Sequence, residues 1–160
     1  MIADSRRSKI DIIIFLSGVA GVVLLDRLSK AFFTHLLDLN ESLSVIKSVM
    51  HFTLVHNTGI AFGLFKDCGL VFVIIPLILT GLLIYNVYYY RHSEQLSRTY
   101  IVAFSLILGG AIGNLIDRIW LGYVIDFIDF RIWPVLNIAD SAITIGAAVI
   151  LFRCIPSSSK

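Results

Sequence analysis

The sequence predicts a membrane all-α fold: a four-transmembrane-helix bundle with a small extramembrane β-sheet between spans one and two. Three observations predict it. Hydrophobic residues make up 58% of the chain and charged residues 15%, and the mean hydropathy is +0.89, whereas a soluble domain is about 45–50% apolar and about 25% charged. Four apolar stretches are long enough to cross a bilayer. The segment between the first two is rich in β-branched residues.

The spans follow from the apolar stretches and their flanks. The second and third stretches carry no charge, and the fourth carries one acid, Asp140. Pro76 is compatible with the second span because a surrounding bundle can satisfy the carbonyl that proline leaves unpaired. We predict a single membrane domain, residues 1–160, with spans at about 10–30, 69–90, 99–116 and 135–152.

The start of the chain resembles a signal peptide, because the basic stretch "RRSK" at 6–9 precedes an apolar run. However, Asp26 and Arg27 follow that run where a cleavage site with small residues would be needed. We therefore interpret the run as a retained first span.

Charge placement predicts the orientation of the bundle. Four spans put both termini on one side. That side holds seven lysines and arginines and the other side holds six, a difference too small to determine the orientation. The basic cluster at 6–9 and the short basic loop 91–98 favour a cytoplasmic N-terminus. Segments 31–68 and 117–134 are then outer connections. Cys68 and Cys154 fall near opposite faces, so no disulfide is expected between them.

The outer segment 31–68 is too long for a simple turn. Its stretches "SLSVIKSV" and "HFTLVHN" partly alternate and contain β-branched residues, which predicts short strands lying on the outer leaflet. The outer loop 117–134 is instead notable for its aspartates.

Polar side chains gather at the outer ends of the spans, whereas the inner halves are nearly apolar. Ionisable residues at membrane depth are functional candidates, and their confinement to one end predicts a site at the outer surface. A channel or proton relay would need polar residues through the full depth. The set comprises Asp26 and Lys30 of span one, Asn114, Asp117 and Arg118 of span three, Asp126 and Asp129 of the loop, and Asn137 and Asp140 opening span four.

Two aspartates from different segments can supply acid–base chemistry. When two carboxylates share a site, repulsion raises one pKa, so that one is protonated and the other ionised. The ionised one can draw a proton from water, and the protonated one can polarise a peptide carbonyl. This chemistry needs no metal, no cofactor and no nucleophilic side chain. The histidines are scattered, with His51 and His56 on opposite faces of any shared strand, so no zinc site is expected.

Five stretches in order carry a family resemblance: "DRLSK" at 26–30, "NTGIAFG" at 57–63, "GGAIGNLIDR" at 109–118, "VIDFIDF" at 124–130 and "LNIADSAI" at 136–143. Together they resemble the lipoprotein signal peptidases (signal peptidase II), the membrane aspartic proteases of bacteria. Each block alone is weak, but five in order on four spans are specific. Arg27 stands where glutamine is common in that family, and Ile60 where a small residue is common.

The resemblance implies an enzyme that removes the signal peptide from diacylglyceryl-modified prolipoproteins by cleaving before the lipidated cysteine. It implies a monomer in the bacterial cytoplasmic (inner) membrane, multi-pass, in contact with membrane lipids and not with nucleic acid. Both termini would be cytoplasmic and the active site would be at the outer (periplasmic) face. The implied catalytic pair is Asp126 and Asp140, the substrate-binding residues are Asn57, Asn114, Arg118 and Asn137, and the supporting polar residues are Asp26 and Lys30.

Other interpretations stay open for several of these residues. Asp126 and Asp140 could be capping or interface aspartates, and "NTG" at Asn57 is a natural turn sequence. Asp129 is the alternative to Asp126 as the catalytic aspartate of this segment. In a strand the two side chains point apart, and in a helix they share a face. Asp117 fits an ion-pair partner for Arg118 better than an acid catalyst. A small transporter and a non-catalytic assembly protein are the competing functions.

Overall fold

The structure, a computed structural model, describes residues 2–59, 74–82, 85 and 97–154. Side chains are described from residue 9 onward within the first helix. In chain order the elements are α1 (Ile2–Leu36), β1 (Ser42–Ile46), β2 (Met50–Asn57), α2 (helical at the described residues 74–82 and 85), α3 (Arg98–Trp120), β3 (Val124–Asp129) and α4 (Ile138–Cys154).

Two stretches of these helices, Lys9–Leu36 and Arg98–Trp120, are long and apolar enough to cross a membrane. They agree with the spans predicted at 10–30 and 99–116, and both continue further toward the C-terminus than predicted. Most of the predicted second span, residues 91–96 of the predicted loop and Cys68 lie outside the described residues. The count of four spans and the single domain therefore stay predictions.

Glycines let α3 pack closely between α1 and α4. A Cβ on Gly109 would lie 2.7 Å from Cβ of Val22 on α1. A Cβ on Gly110 would overlap the carbonyl oxygen of Ala139, at the start of α4. Small residues at helix contacts are how membrane helices approach each other. The "GGAIG" stretch thus brings α3 close to α1 and to the start of α4.

The sheet corrects one part of the predicted fold. It has three antiparallel strands in the order β1-β2-β3, so it is not confined to the segment between spans one and two. Its third strand, Val124–Asp129, comes from the predicted outer loop 117–134. The addition has a physical reason, because an isolated two-stranded hairpin is only marginally stable. Residues 31–36, predicted within the β-rich segment, instead complete α1.

The sheet packs on the C-terminal end of α1 through a small apolar core. Phe33 and Leu37 contact Leu54 of β2 and Ile125 and Phe127 of β3. The rings of Phe33 and Phe127 stack with centroids 4.2 Å apart, a pair that contributes about 0.5–1.5 kcal/mol beyond its buried area. Since side chains alternate along a strand, the residue between the two β3 apolar positions faces the other way. That residue is Asp126.

Candidate active site

Two aspartates from separate elements meet through one amide. Asp126 lies in the middle of β3, opposite Val55 of β2, and Asp140 lies in the first turn of α4. Between them is Asn137, which is fully buried and donates its side-chain Nδ2 to Oδ1 of Asp126 at 2.7 Å. The structure thus brings together two residues that the sequence separates by a loop.

Asn137 is held by the start of α4. Its Oδ1 accepts the backbone N–H of Asp140 at 2.8 Å, and Oδ2 of Asp140 accepts the backbone N–H of Asn137 at 3.3 Å. This reciprocal pair is a capping box, which satisfies backbone donors at the start of a helix. Another donor there, the N–H of Ala139, goes to Oδ1 of Asp26 at 3.2 Å. The sequence-based alternative that Asp140 has a capping role is therefore correct, and it does not compete with a role in the site.

Asn57 combines a turn with a contact to the site. Its Oδ1 accepts the backbone N–H of Gly59 at 2.9 Å, which forms the predicted turn. Its Nδ2 donates to Oδ2 of Asp126 at 2.9 Å. Together with Asn137, this residue gives Asp126 one amide donor on each carboxylate oxygen.

Asn114 of α3 connects Asp140 to a buried cation. Its Nδ2 donates to Oδ1 of Asp140 at 2.7 Å. Its Oδ1 accepts from Nζ of Lys30 at 3.1 Å and from Nδ2 of Asn137 at 3.0 Å. Because both amide ends are engaged, the orientation that presents the NH₂ group to Asp140 is fixed by its neighbours.

Behind Asn114 is a cluster of four charges between α1 and α3. Lys30 is within 2.9 Å of Asp26, four residues earlier on the same helix, and within 2.8 Å of Asp117. Asp117 also contacts Arg27 at 2.6 Å. The sequence favours Asp117 as an ion-pair partner for Arg118, whereas the ion pairs that the structure shows for Asp117 are with Arg27 and Lys30 of α1. Arg27 was missed as a site residue, although its i, i+3 spacing to Lys30 places both on neighbouring parts of one helix face.

A cavity of about 650 Å³ lies beside the carboxylates. Asp140 and Arg118 line it, together with Asn57 and Asn114, and most of the remaining lining is apolar. Asp126 is only 1% exposed and reaches the cavity wall through its hydrogen bond with Asn57. The apolar lining residues are Pro76, Leu79, Ile107, Ala111, Val124, Trp133, Pro134, Val135, Leu136 and Ile143.

The surroundings of Asp126 favour its protonated form. Burial, followed by the charge of nearby Asp140, raises the pKa of Asp126 to about 7. Hydrogen bonds from Asn57 and Asn137 and the charge of Lys30 act in the opposite direction and reduce the shift. A carboxyl group with this pKa can hold or release a proton near neutrality.

Asp129 belongs to a different surface of the sheet. Its carboxylate accepts hydrogen bonds from Oγ1 of Thr53 at 2.8 Å and from the backbone N–H of Arg131 at 2.8 Å. Burial alone would raise the pKa of Asp129, but these hydrogen bonds and the charges of Arg131 and His51 lower it overall. The strand conformation therefore separates it from Asp126, as expected for two strand residues three apart.

Among the described residues, no three histidine, cysteine or carboxylate side chains are grouped so that they could hold a metal ion. The described site is instead made of carboxylates, amides and cations. These are groups for binding a polar substrate and for moving protons.

The fold and the site define a class: helical membrane proteins with a buried carboxylate pair beside an apolar cavity at one end of the helices. Comparisons with known proteins agree and are more specific. A family model described as signal peptidase (SPase) II matches residues 18–156. The chain is 43% identical over 130 residues to a lipoprotein signal peptidase of Halothermothrix orenii, covering 81% of this chain and 87% of that protein. A lipoprotein signal peptidase of Moorella thermoacetica is 42% identical over 132 residues, covering 82% and 86%.

Solved structures give the same result. Two structures of a bacterial membrane enzyme, obtained by the in meso method, superpose with TM-scores of 0.77 and 0.76 at 31% and 32% identity. They cover 95% and 94% of this chain, and 94% and 95% of their own chains. The chain therefore belongs to the signal peptidase II family, which confirms the resemblance seen in the sequence and makes the protein a bacterial membrane protease.

Proposed function

We propose that the protein is an aspartic endopeptidase that removes the signal peptide from diacylglyceryl-modified prolipoproteins. It cleaves before the lipidated cysteine, using Asp126, Asp140 and an activated water. The observation that carries this proposal is the meeting of the two aspartates, linked by Asn137, at an apolar cavity. The names of the relatives, lipoprotein signal peptidases, support the substrate class.

The two aspartates take different parts in the reaction. Asp126, with its pKa of about 7, holds a proton near neutrality and polarises the scissile carbonyl. Asp140, which accepts hydrogen bonds from Asn114 and Asn137 and lies near the cation of Arg118, is the ionised base. Two carboxylates kept in opposite protonation states are the usual arrangement for this chemistry.

The reaction then balances in two steps. Asp140 takes a proton from water as the water oxygen bonds to the carbonyl carbon, and Asp126 gives its proton to the carbonyl oxygen. In the second step the tetrahedral intermediate returns a proton to Asp126 as the carbonyl reforms. The C–N bond breaks, and Asp140 delivers its proton to the leaving amine of the cysteine. Both carboxyl groups finish in their starting states.

Substrate binding uses the remaining polar residues and the cavity. Asn57 exchanges its hydrogen bond to Asp126 for one to the peptide, which gives Asp126 access to the scissile carbonyl. Arg118 and Asn114 bind the peptide backbone from the cavity wall, and the apolar lining accepts the diacylglyceryl chains. Asn137 positions the pair, with Asp26 and Lys30 supporting it from behind.

The location of the site supports a placement in the membrane. The polar residues lie at the end of α1 and α3 that carries the sheet, whereas the ion pair of Asp11 with Arg98 lies at the other end. We infer that the site is at the outer face of the bacterial cytoplasmic membrane, with both termini cytoplasmic, in a monomer surrounded by lipid. Proximity to the membrane surface fits a substrate anchored by its lipid.

A cleavage assay tests the proposal. Purified protein in detergent is incubated with a diacylglyceryl prolipoprotein and with its unlipidated form. Asp126→Asn and Asp140→Asn should each lower kcat by about 100- to 10,000-fold, the usual contribution of acid–base catalysis. Asp129→Asn is the matched control on the same strand and should retain cleavage. Normal cleavage by either dyad variant would refute the assignment, and equal cleavage of the unlipidated form would refute the substrate class.

A further inference from the structure

Arg27 of α1 makes three contacts, two of them across the interface with α3. Its Nη1 donates to Oδ1 of Asp117 at 2.6 Å, and its Nη2 donates to Oδ2 of Asp26 at 2.8 Å. The same Nη2 donates to the backbone carbonyl of Gly113 at 3.1 Å. The planar guanidinium can span acceptors in this way because its donors are fixed in one plane.

The contacts of Arg27 balance the charge around Lys30. Asp26 and Asp117 are fully buried and the Lys30 side chain is 2% exposed, whereas the Arg27 side chain is 29% exposed. Two carboxylates therefore face two cations. Without Arg27, the Lys30 ammonium would face both buried carboxylates alone, and removing one partner from a buried ion cluster leaves a charge uncompensated.

Lys30 has no donor to spare. Its three N–H groups have three neighbours: Asp26 at 2.9 Å, Asp117 at 2.8 Å and Oδ1 of Asn114 at 3.1 Å. Arg27 binds the second oxygen of Asp117, Oδ1, and shares Oδ2 of Asp26. Without Arg27, Asp26 and Asp117 would attract the Lys30 ammonium more strongly. The ammonium would then move away from the neutral amide of Asn114.

The contact between Lys30 and Asn114 decides what faces Asp140. While Lys30 donates to Oδ1 of Asn114, Nδ2 of the same amide points to Asp140. A rotated amide would present its oxygen instead, and an oxygen can face a carboxyl group favourably only when that group is protonated. The charge cluster between α1 and α3 thus affects the protonation of Asp140.

We propose that Arg27 is a positioning residue for the carboxylate pair: by holding Asp26 and Asp117 it keeps Lys30 on Asn114, and thereby keeps an amide donor on Asp140. The inference rests on the proposed function of Asp140 as the ionised base. Arg27 does not touch the substrate in this role. It acts through the side chains of Asp26, Asp117, Lys30 and Asn114.

The test is the pH profile of kcat in detergent for Arg27→Gln. Loss of the charge and of the amide orientation disfavours ionised Asp140, so the acid limb should move to higher pH by roughly 0.5–1 unit. Arg27→Lys keeps the charge and should return the limb toward its original position. Arg98→Gln is the matched control, because Arg98 pairs with Asp11 between the same two helices at their other end, and it should leave the limb in place.

A double variant keeps the test decisive if Arg27→Gln folds poorly. Arg27→Gln with Asp117→Asn removes one charge of each sign, so the buried cluster stays balanced and the acid limb should return toward that of the natural protein. An unmoved limb in Arg27→Gln, or a shifted limb in the double variant, would overturn the inference. Active Asp126→Asn would instead refute the proposed function, so the two failures are distinguishable.

Discussion

Asn137 donates a hydrogen bond from its side-chain Nδ2 to Asp126 at 2.7 Å, while its side-chain Oδ1 accepts one from the backbone N–H of Asp140 at 2.8 Å. One side chain therefore performs a local task, capping α4, and a long-range task, fixing a strand residue against a helix residue. Because the cap fixes the orientation of the amide, the geometry of the carboxylate pair is linked to the start of α4.

Two variants at this position separate the tasks. Asn137→Ser keeps an oxygen suited to the N-cap, whereas Asn137→Ala loses the cap as well, at a cost of about 1 kcal/mol. Both lose the amide donor to Asp126, and a hydrogen bond between neutral groups contributes about 0.5–1.5 kcal/mol. We expect kcat to fall roughly 2- to 10-fold in both, with a lower Tm for the alanine variant. Cleavage at the natural rate by Asn137→Ser would contradict this linkage.

Asn57 should tune the alkaline limb of the activity profile. Its hydrogen bond lowers the pKa of Asp126, against the effects of burial and of Asp140, which together leave that pKa at about 7. Removing the donor in Asn57→Ala should raise the pKa of Asp126 further. Since Asp126 must hold its proton, the alkaline limb of kcat/KM, which reports the free enzyme in which Asn57 contacts Asp126, should move to higher pH, even as binding weakens.

Thr53→Val is the control for this shift. Thr53 lies on the same strand as Asn57 but donates to Asp129 rather than to Asp126. It should therefore leave the alkaline limb where it is. A shift of equal size in both variants would mean that a general change in the sheet, and not the hydrogen bond to Asp126, moves the limb.

The sequence predicted the parts of the molecule that depend on short-range patterns. Composition and apolar run length predicted the stretches that became α1 and α3, and the alternation of "HFTLVHN" predicted β2. The third strand was missed because "VIDFIDF" contains two acids, and its partner, β2, is distant in the chain. Pairing across such a separation depends on the tertiary arrangement.

The residues of the site also fall into some that the sequence predicted and one that it did not. Asp126 and Asp140 were proposed from ordered motifs, and the structure brings them together. Arg27 was set aside as a departure from the family pattern, because the sequence does not show that its guanidinium reaches Asp117 on another helix. Spacing within one helix predicts i, i+4 pairs such as Asp26 with Lys30. It does not predict contacts between helices.

The close contact of α3 with α4 can be tested away from the site. A Cβ on Gly146 would lie 2.6 Å from the backbone carbonyl oxygen of Ala103, and backbone cannot move aside easily. Gly146→Ala should therefore lower the free energy of unfolding by about 1–3 kcal/mol. Gly21→Ala is the control, because a Cβ there meets nothing within 4 Å, and alanine favours a helix by about 0.5–1 kcal/mol. Thermal unfolding in detergent should lower Tm for the first and not for the second.

The buried carboxyl of Asp126 should make stability depend on pH with a defined sign. An unfolded aspartate ionises near pH ~3.9, whereas folded Asp126 has a pKa of about 7. Between these values the folded protein keeps a proton that the unfolded chain has released. The contribution of Asp126 to the free energy of unfolding therefore falls as pH rises through this window and is constant above it.

Asp126→Asn removes this dependence, because the amide does not ionise. At about 1.4 kcal/mol per pKa unit, the full effect is on the order of 4 kcal/mol. We expect the Tm of the variant in detergent, relative to the natural protein, to be higher at about pH 8 than at about pH 4.5. Asp129→Asn is the control: because the pKa of Asp129 is lowered, its ionised form stabilises the fold fully at every pH above about 3.9, so the variant should be less stable than the natural protein by the same amount at about pH 4.5 and at about pH 8. Parallel pH dependence in Asp126→Asn and the natural protein would show that Asp126 does not carry a raised pKa.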